Sequence, residues 1–145
     1  MKRIVRVIFW VVFVLSVQGC AIDSEQNFHF VTLRIVDAEV PESFDLNGVY
    51  DIQVTYARPN GCTFFEGFDV FPVENTIRNI VAIGSEFDDG ETACTQAVEN
   101  VVADFRFEVL YEGTYTFRFY NGDDAEGNPI YLEYDVQVNA VEPTN

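Results

Sequence analysis

The sequence predicts an all-β fold, a single antiparallel β-sandwich of about seven strands. Apolar and polar residues alternate with a period of two along most of the chain, as they do in strands that bury one face. Segments rich in glycine, proline, asparagine and aspartate separate these runs, and no segment shows the 3.6-residue period of a helix. Of the 145 residues, 48% are hydrophobic and 15% are aromatic. One domain with a sizeable core is therefore expected, and a disordered chain is excluded.

Seven alternating runs are predicted as strands. The first covers residues 28–36, and the second, over 50–56, has the clearest alternation in the chain. The segment 41–48 between them is rich in turn residues. After the second strand, Arg58-Pro59-Asn60-Gly61 predicts a turn, because proline fixes φ and Asn-Gly tolerates positive φ. The other five strands are predicted near residues 62–71, where Gly67 is a candidate bulge, and near 76–84, 101–109, 115–119 and 130–138.

A short segment before the sixth strand favours a sandwich over a closed barrel, the competing all-β fold. Tyr111-Glu112-Gly113-Thr114-Tyr115 resembles the corner of immunoglobulin-like domains, in which a Gly-x-Tyr step places a tyrosine hydroxyl on nearby backbone. The resemblance implies this role for Tyr115 and an immunoglobulin-like sandwich over residues 28–139. Phe117 stands where immunoglobulin domains have their second cysteine, and the central tryptophan is missing. The resemblance therefore concerns the shape only.

Residues 1–19 have the parts of a secretory signal peptide. Lys2, Arg3 and Arg6 form a basic start, and an apolar run with a single serine, Ser16, follows over residues 7–17. This run has the length of a signal-peptide core and is too short for a helix that spans a bilayer. An uncleaved membrane anchor is the alternative interpretation.

The end of this segment, Val17-Gln18-Gly19-Cys20, resembles the lipobox of bacterial lipoproteins. The resemblance implies that the signal peptide is removed and that Cys20 is acylated, for example with palmitate, so that acyl chains hold the protein at a membrane. Ordinary cleavage near Ala21 is the alternative. In the lipoprotein sorting pattern an aspartate after the cysteine retains a protein at the inner membrane. Ala21 therefore implies the outer membrane, on its periplasmic or its surface face, with residues 20–27 as a tether.

The chain is strongly acidic. Eight basic and 24 acidic residues give a formal net charge of −16, and removal of Lys2, Arg3 and Arg6 with the signal peptide takes it to −19. Nucleic-acid binding is excluded, because it needs a basic surface that displaces counterions from phosphates. Such a charge also repels anionic lipid head groups. The mature domain has no lysine and no tryptophan, since Lys2 and Trp10 lie in the signal peptide. The last residues, 140–145, are expected to form a frayed tail.

Cys62 and Cys94 remain once Cys20 is assigned to the lipid anchor. An even pair of cysteines in an exported chain predicts a disulfide. A thiol or metal site is the alternative, but the chain has a single histidine, His29, and no Cys-x-x-Cys spacing.

No constellation of catalytic residues is recognisable. A nucleophile needs an adjacent base, and His29 is predicted at the start of a strand beside the tether. The serines of the mature chain lie in no Gly-x-Ser-x-Gly elbow, and no Walker or dinucleotide fingerprint occurs. The protein is therefore not expected to be an enzyme, and a small hydrolase is the last of the alternatives.

No cofactor is expected, although the sequence leaves calcium open. Carboxylate and amide oxygens crowd the predicted loop 121–129, and Ca²⁺ takes six to eight oxygen ligands. The same residue types are the ones that hairpin turns use. The candidate ligands are Asn121, Asp123, Asp124, Glu126 and Asn128.

A run of aromatic residues in the third predicted strand provides the candidate binding surface, which consists of Phe64, Phe65 and Phe68. Adjacent Phe64 and Phe65 point to opposite faces of a strand, so that one of them can be exposed. An exposed aromatic ring can anchor a protein partner or stack on a sugar. The alternative is that both faces of this strand are covered.

The expected function is that of a membrane-anchored, non-catalytic lipoprotein, a binding or assembly module of the cell envelope. Its expected contacts are the membrane, through the lipid anchor, and a protein or glycan of the envelope. A protease inhibitor is the alternative, because small immunoglobulin-like inhibitors present hairpin loops to an active-site cleft. The loops at 58–61, 85–95 and 121–129 would serve if they cluster at one end of the sandwich.

Overall fold

The computed structural model describes residues 28–87 and 93–140. The predicted signal peptide, Cys20, the tether and residues 141–145 lie outside the described residues. In the described part the chain has nine strands, and none of it forms a helix long and apolar enough to cross a membrane. The strands are β1 (Phe28–Leu33), β2 (Ile35–Glu39), β3 (Ser43–Phe44), β4 (Val49–Arg58), β5 (Thr63–Pro72), β6 (Ile77–Phe87), β7 (Glu99–Glu108), β8 (Thr114–Asp123) and β9 (Pro129–Val138).

The strands form two sheets. Sheet A contains β1, β6, β8, β9 and β3 in that order, with β5 paired to β6 as well. Sheet B contains β2, β4 and β7, with β4 in the centre. Buried residues of both sheets belong to one hydrophobic core, which lies between them. The predicted β-sandwich is confirmed.

Sheet A is mixed, whereas a purely antiparallel sandwich was expected. Strand β6 pairs in parallel with β8 along Ile77–Ile80, and β3 pairs in parallel with β9. On the same side of β6, β1 pairs with residues Ala82–Phe87, while β5 occupies the other side. An alternating run indicates a strand and its two faces but carries no information on the direction of its neighbour. Because immunoglobulin domains are built from antiparallel sheets, the parallel pairing of β6 with β8 differs from the fold that the resemblance implies.

The predicted first strand is in fact two strands in different sheets. β1 ends at Leu33 and β2 begins at Ile35, so the chain crosses from sheet A to sheet B at Arg34. Leu33 and Ile35 are both buried. The period of two therefore continues across the break, and the sequence reads as one strand. Elsewhere β6 and β8 continue to Phe87 and Asp123, into segments that were expected to be loops.

Part of the core consists of aromatic rings in contact, in tilted, stacked and edge-on arrangements. Phe44, Phe107, Tyr115 and Phe117 are buried, and their ring centroids lie 4.9–6.1 Å apart. Phe44 comes from the two-residue strand β3, which explains why this short segment is held against β9. Aromatic pairs at these distances stabilise the fold beyond the area that they bury.

The hydroxyl of Tyr115 confirms the predicted corner. It accepts hydrogen bonds from the backbone N–H of Leu110, at 3.1 Å, and of Tyr111, at 3.0 Å. These two residues lie in the connection between β7 and β8. The hydroxyl thus satisfies two backbone donors that have no strand partner, and it fixes the path of this connection.

Arg78 is a buried arginine beneath the turn between β5 and β6. Its guanidinium donates to the backbone carbonyls of Glu74, at 2.7 Å, and of Asn75 and Ile77, both at 2.9 Å. The same group lies 5.6 Å from the centroid of the Tyr115 ring. A buried charge requires such partners, so Arg78 ties the turn to the aromatic core.

The disulfide between Cys62 and Cys94 is confirmed. The two Cα atoms are 5.4 Å apart, and the residues are separated by 32 positions. Beside the disulfide, the backbone N–H of Gly61 donates to the carbonyl oxygen of Thr95 at 3.0 Å. The start of β5 is therefore fastened to the segment that leads into β7.

Candidate binding surface

The outer faces of the two sheets differ in chemistry. On sheet B the exposed side chains include Asp51, Asp104 and Arg106, and Arg106 Nη1 lies 3.8 Å from Asp51 Oδ1. Sheet B also exposes Val49 and Val102, which lie apart from each other, whereas on sheet A the outer face of β1, β5 and β6 carries several exposed phenylalanine side chains in contact. Contiguous apolar groups on a soluble domain mark sites of interaction more often than isolated ones do. The outer face of sheet A is therefore the candidate binding surface.

Four phenylalanine rings on this face touch one another and are called the aromatic cluster. The centroid of Phe28 lies 5.6 Å from that of Phe30 and 5.7 Å from that of Phe87, and Phe64 lies 5.6 Å from Phe87. The exposed fraction is 68% for Phe30, 51% for Phe64 and 48% for Phe87. The rings shield one another in part, but each of these three keeps about half of its surface or more in water.

The register of three strands assembles the cluster. Phe28 is the partner of Phe87 in the β1–β6 pair. Phe30 and Phe64 are both partners of Ser85, one on each side of β6. Because serine is small, a shallow groove remains between the rings, with Ser85 among its lining residues. The cluster is thus a surface with a depression in it rather than a flat patch.

A carboxylate lies beside the rings. Glu66 also lines the groove, and its Oε1 accepts a hydrogen bond of 2.5 Å from the hydroxyl of Ser85. Glu66 is exposed, while Ser85 is buried. The aromatic cluster therefore presents apolar rings with one negative charge held at a fixed place among them.

Of the three predicted binding residues, only Phe64 lies on this surface. Phe65 stacks on Tyr56, with centroids 4.8 Å apart and planes 17° apart, and Phe68 packs 5.0 Å from Phe65 and 5.8 Å from Phe105. A regular strand would place Phe65 and Phe68 on opposite faces. The register shifts between Phe65 and Gly67, so the candidate bulge at Gly67 is real and turns both rings towards the core.

Phe28, Phe30 and Phe87 were not predicted as members of the site. In the first predicted strand Val31 and Leu33 point inwards, and Phe28 and Phe30 are out of phase with them. That mismatch is the signal that would have placed two phenylalanines on the outer face. Phe87 had no such signal, because it lies beyond the predicted end of its strand.

The aromatic cluster lies at the end of the sandwich where β1 begins. The tether would enter the domain here, since Phe28 is the first residue of β1. The turn at 58–61 and the disulfide lie at the same end, because β5 starts where β6 ends. Strand β8 runs parallel to β6, so the connection from β8 to β9 leaves in the same direction. Residues 88–92 of the acidic loop lie outside the described residues.

The five candidate calcium ligands do not converge on one point. The side-chain amide of Asn121 donates to the carbonyl oxygen of Ile35 at 2.8 Å, on a strand of the other sheet. The carboxylate of Asp124 accepts from the backbone N–H groups of Glu126 and Asn128 at 2.9 and 2.8 Å. Within residues 28–87 and 93–140 no group of three histidine, cysteine or acidic side chains is arranged to hold a metal ion. Calcium binding stays a prediction, for which a rise of Tm in millimolar Ca²⁺, reversed by EDTA, is the test.

The carboxylate of Asp124 should contribute pH-dependent stability. The backbone N–H and the side-chain amide of Asn128 hold the pKa of Asp124 below its ordinary value. A lowered folded-state pKa means that the stabilisation is complete above the unfolded pKa, near 3.9, and is lost as pH falls through the folded value. Asp124→Ala should therefore lower Tm at pH 7, and the deficit should shrink as the pH falls below about 4.

Differential scanning calorimetry of both proteins between pH 2 and 7 measures this difference. The control is Asp104→Ala, which removes an exposed carboxylate from sheet B. A deficit for Asp124→Ala that stays constant down to the lowest pH would contradict the assignment of the effect to the ionised carboxylate.

The single histidine lies at the edge of the aromatic cluster. His29 Nε2 is 3.7 Å from a carboxylate oxygen of Glu86, and 60% of its side chain is exposed. The hydroxyl of Ser85, the residue next to Glu86 in the sequence, donates to Glu66 and not to His29. The geometry around His29 is that of an exposed contact between side chains of neighbouring strands.

A comparison with protein families gives one match. A model described as the ORF11 beta-sandwich domain matches residues 52–128, from within β4 to the turn before β9. This span contains Phe64, Phe87 and both cysteines of the disulfide. Comparisons with curated proteins and with solved structures give no significant match. Since the matched span covers more than half of the 145 residues, the chain belongs to the ORF11 beta-sandwich domain family.

Proposed function

We propose that the protein is a lipid-anchored, non-catalytic module of the cell envelope and that the aromatic cluster is its binding surface. The observation that carries this proposal is the position of the cluster. Four phenylalanine rings in contact, three of them exposed, lie at the end of the domain where the tether enters. On the outer face of sheet B the exposed apolar side chains Val49 and Val102 lie apart among polar ones, so the grouped rings on sheet A are distinctive.

The anchor is Cys20, acylated at the outer membrane after removal of residues 1–19. Cys20 and Phe28 are eight residues apart, so that a fully extended tether would span about 26–29 Å. The aromatic cluster is thereby confined to the space next to the membrane. Burial of a fully exposed phenylalanine contributes about 1.5–3 kcal/mol, and several half-exposed rings together suffice for a specific contact when the tether has already removed most of the translational freedom.

Photo-crosslinking in the native cell, with the anchor intact, tests the binding surface. A photo-reactive residue at Phe64 should give a defined adduct. The same residue at Phe71 is a matched control, because Phe71 lies at the other end of β5 and is 52% exposed, against 51% for Phe64. A third site at Asp124 probes the connection between β8 and β9. Amine-reactive reagents are unsuitable, because the mature domain has no lysine.

An adduct at Phe64 and none at Phe71 supports the proposal. Equal labelling at the three sites, or none at any of them, contradicts it. The anchor is tested separately by mass spectrometry of the N-terminal peptide: an unmodified Cys20, or a chain that still carries residues 1–19, would overturn the lipoprotein assignment.

A protease inhibitor is the second candidate function, and one observation favours it. The turn at 58–61 and the segment 93–95 are joined at one end of the sandwich, and the connection after β8 leaves in the same direction. The tether enters at that end too, so a lipid-anchored domain would present these loops towards its own membrane. Inhibition of any enzyme in a panel of proteases, abolished by exchange of the three loops, would favour this function over the first. A small hydrolase ranks last, since a nucleophile needs an adjacent base and the buried hydroxyl of Ser85 donates to Glu66 rather than to His29.

A further inference from the structure

We propose that the partner of the aromatic cluster is the lipid surface of the membrane that carries the anchor. In this arrangement Phe30, Phe64 and Phe87 enter the interfacial region of the bilayer and orient the sandwich with the opposite end away from the membrane. The inference rests on the proposed function, because it needs the acylated Cys20. It adds a second, reversible contact to the covalent one.

The position of the cluster relative to the tether is the first argument. Phe28 belongs to the cluster and is also the residue to which the tether is joined. The acyl chains therefore lie at most about 26–29 Å from the cluster. Strand β5 carries Phe64 near its start and Phe71 near its end, about 20 Å further along the sheet. A domain held by such a short tether reaches the bilayer first with the aromatic cluster.

The chemistry of the cluster is the second argument. Its members are all phenylalanine, whose side chain has neither a hydroxyl nor an indole N–H and needs no hydrogen-bond partner once it is buried. Apolar aromatic side chains are typical of surfaces that enter the boundary between head groups and acyl chains. Because these rings have no polar tip, the cluster offers a protein partner no side-chain hydrogen bond, whereas an acyl boundary requires none.

The negative charge near the cluster determines which lipid head groups it can approach. Glu66 is exposed among the rings, and the mature chain carries a net charge of about −19. Anionic head groups would repel this surface at low salt, and the repulsion would be screened at high salt. The cluster is therefore suited to a surface of neutral, zwitterionic head groups. The carboxylate of Glu66 also limits how deeply the cluster enters the bilayer, because burial of this charge among the acyl chains would be costly.

Tryptophan fluorescence of the lipidated full chain tests the inference. The mature domain has no tryptophan, so that Phe64→Trp and Phe71→Trp each introduce a single reporter. Both positions are exposed to nearly the same extent, at 51% and 52%, on the same strand. The proteins are reconstituted into phosphatidylcholine vesicles that contain brominated phosphatidylcholine, which quenches tryptophan within the bilayer. The wild-type chain serves as the blank.

We expect quenching and a blue-shifted emission for Phe64→Trp and neither for Phe71→Trp. Replacement of part of the phosphatidylcholine by phosphatidylglycerol should weaken the quenching at position 64 at low salt, and added salt should restore it. Equal quenching at the two positions, or no quenching at position 64, overturns the inference. A dominant protein or glycan adduct at Phe64 in the cell overturns it as well, while leaving the binding surface in place.

Failure of the anchor is recognised by a different readout. A lipidated protein floats with the vesicles in a density gradient whether or not its aromatic cluster enters the bilayer. A chain that does not float overturns the proposed function and the inference with it. A chain that retains residues 1–19 still contains Trp10, so emission from the wild-type blank reveals it. Flotation without quenching at position 64 overturns the inference alone.

Discussion

Phe117→Ala should lower the free energy of unfolding by about 3–5 kcal/mol. The Phe117 ring is fully buried and lies 4.9 Å from Phe107, 5.9 Å from Phe44 and 6.1 Å from Phe119, centroid to centroid. Its removal costs the transfer free energy of the ring and leaves a cavity that three neighbouring rings on different strands cannot all move to fill. Each of these neighbours also loses an aromatic contact. Equilibrium unfolding in urea, followed by tyrosine fluorescence, measures the change.

Phe64→Ala is the matched control, since it deletes the same ring from the surface. It should lower the free energy of unfolding by only about 1 kcal/mol, because about half of the Phe64 side chain is already in water. A similar loss of stability in both variants would contradict the assignment of Phe117 to the core and of Phe64 to the binding surface. The comparison also shows whether the variants used in the binding experiments are folded.

The double substitution Cys62→Ser and Cys94→Ser should cost about 3–4 kcal/mol. The disulfide spans 32 positions and joins the start of β5 to the segment before β7. Without it the unfolded chain gains the entropy of an open loop of that length, which destabilises the folded state by comparison. Because a domain of this size has about 5–15 kcal/mol of stability in total, a large part would be lost. The measurement is urea unfolding of the wild type and the double variant.

Reduction provides the control for this prediction. A phosphine reductant should bring the wild type to the stability of the double variant and leave the double variant unchanged. Equal stability of the two proteins without reductant would contradict a stabilising disulfide. An effect of the reductant on the double variant would show that the serine substitutions do not isolate the bond.

The sequence predicts the strands well because each of them buries one face. The alternating run at 50–56 lies within β4, and the run at 130–138 coincides almost fully with β9. The tyrosine corner and the disulfide were predicted too, because both depend on a few residues of definite chemistry. The crossing at Arg34 and the parallel pairing of β6 with β8 could not be predicted, since neither alters the period of two.

The candidate site was predicted only in part, for reasons of register. Exposure of either Phe64 or Phe65 follows from their adjacency, and the structure exposes Phe64. The other members of the aromatic cluster come from two further strands, and their meeting depends on how β1 and β5 are aligned on β6. Arg78 was missed for a similar reason. Its three acceptors are backbone carbonyls. Every residue has such a carbonyl, so the residue types in the sequence do not indicate which of them bind Arg78.

The shared side of β6 has a consequence for the order in which the domain can fold. Strand β1 covers one half of that side, and β8, which follows β6 in the sequence, covers the other half. A partial chain that ends before Thr114 would leave the hydrogen-bonding groups along Ile77–Ile80 open on that side. Contacts between distant parts of a chain form slowly, because the intervening loops must close first. Sheet A is therefore complete only after β8 and β9 have been added, and until then one edge of β6 is open along Ile77–Ile80.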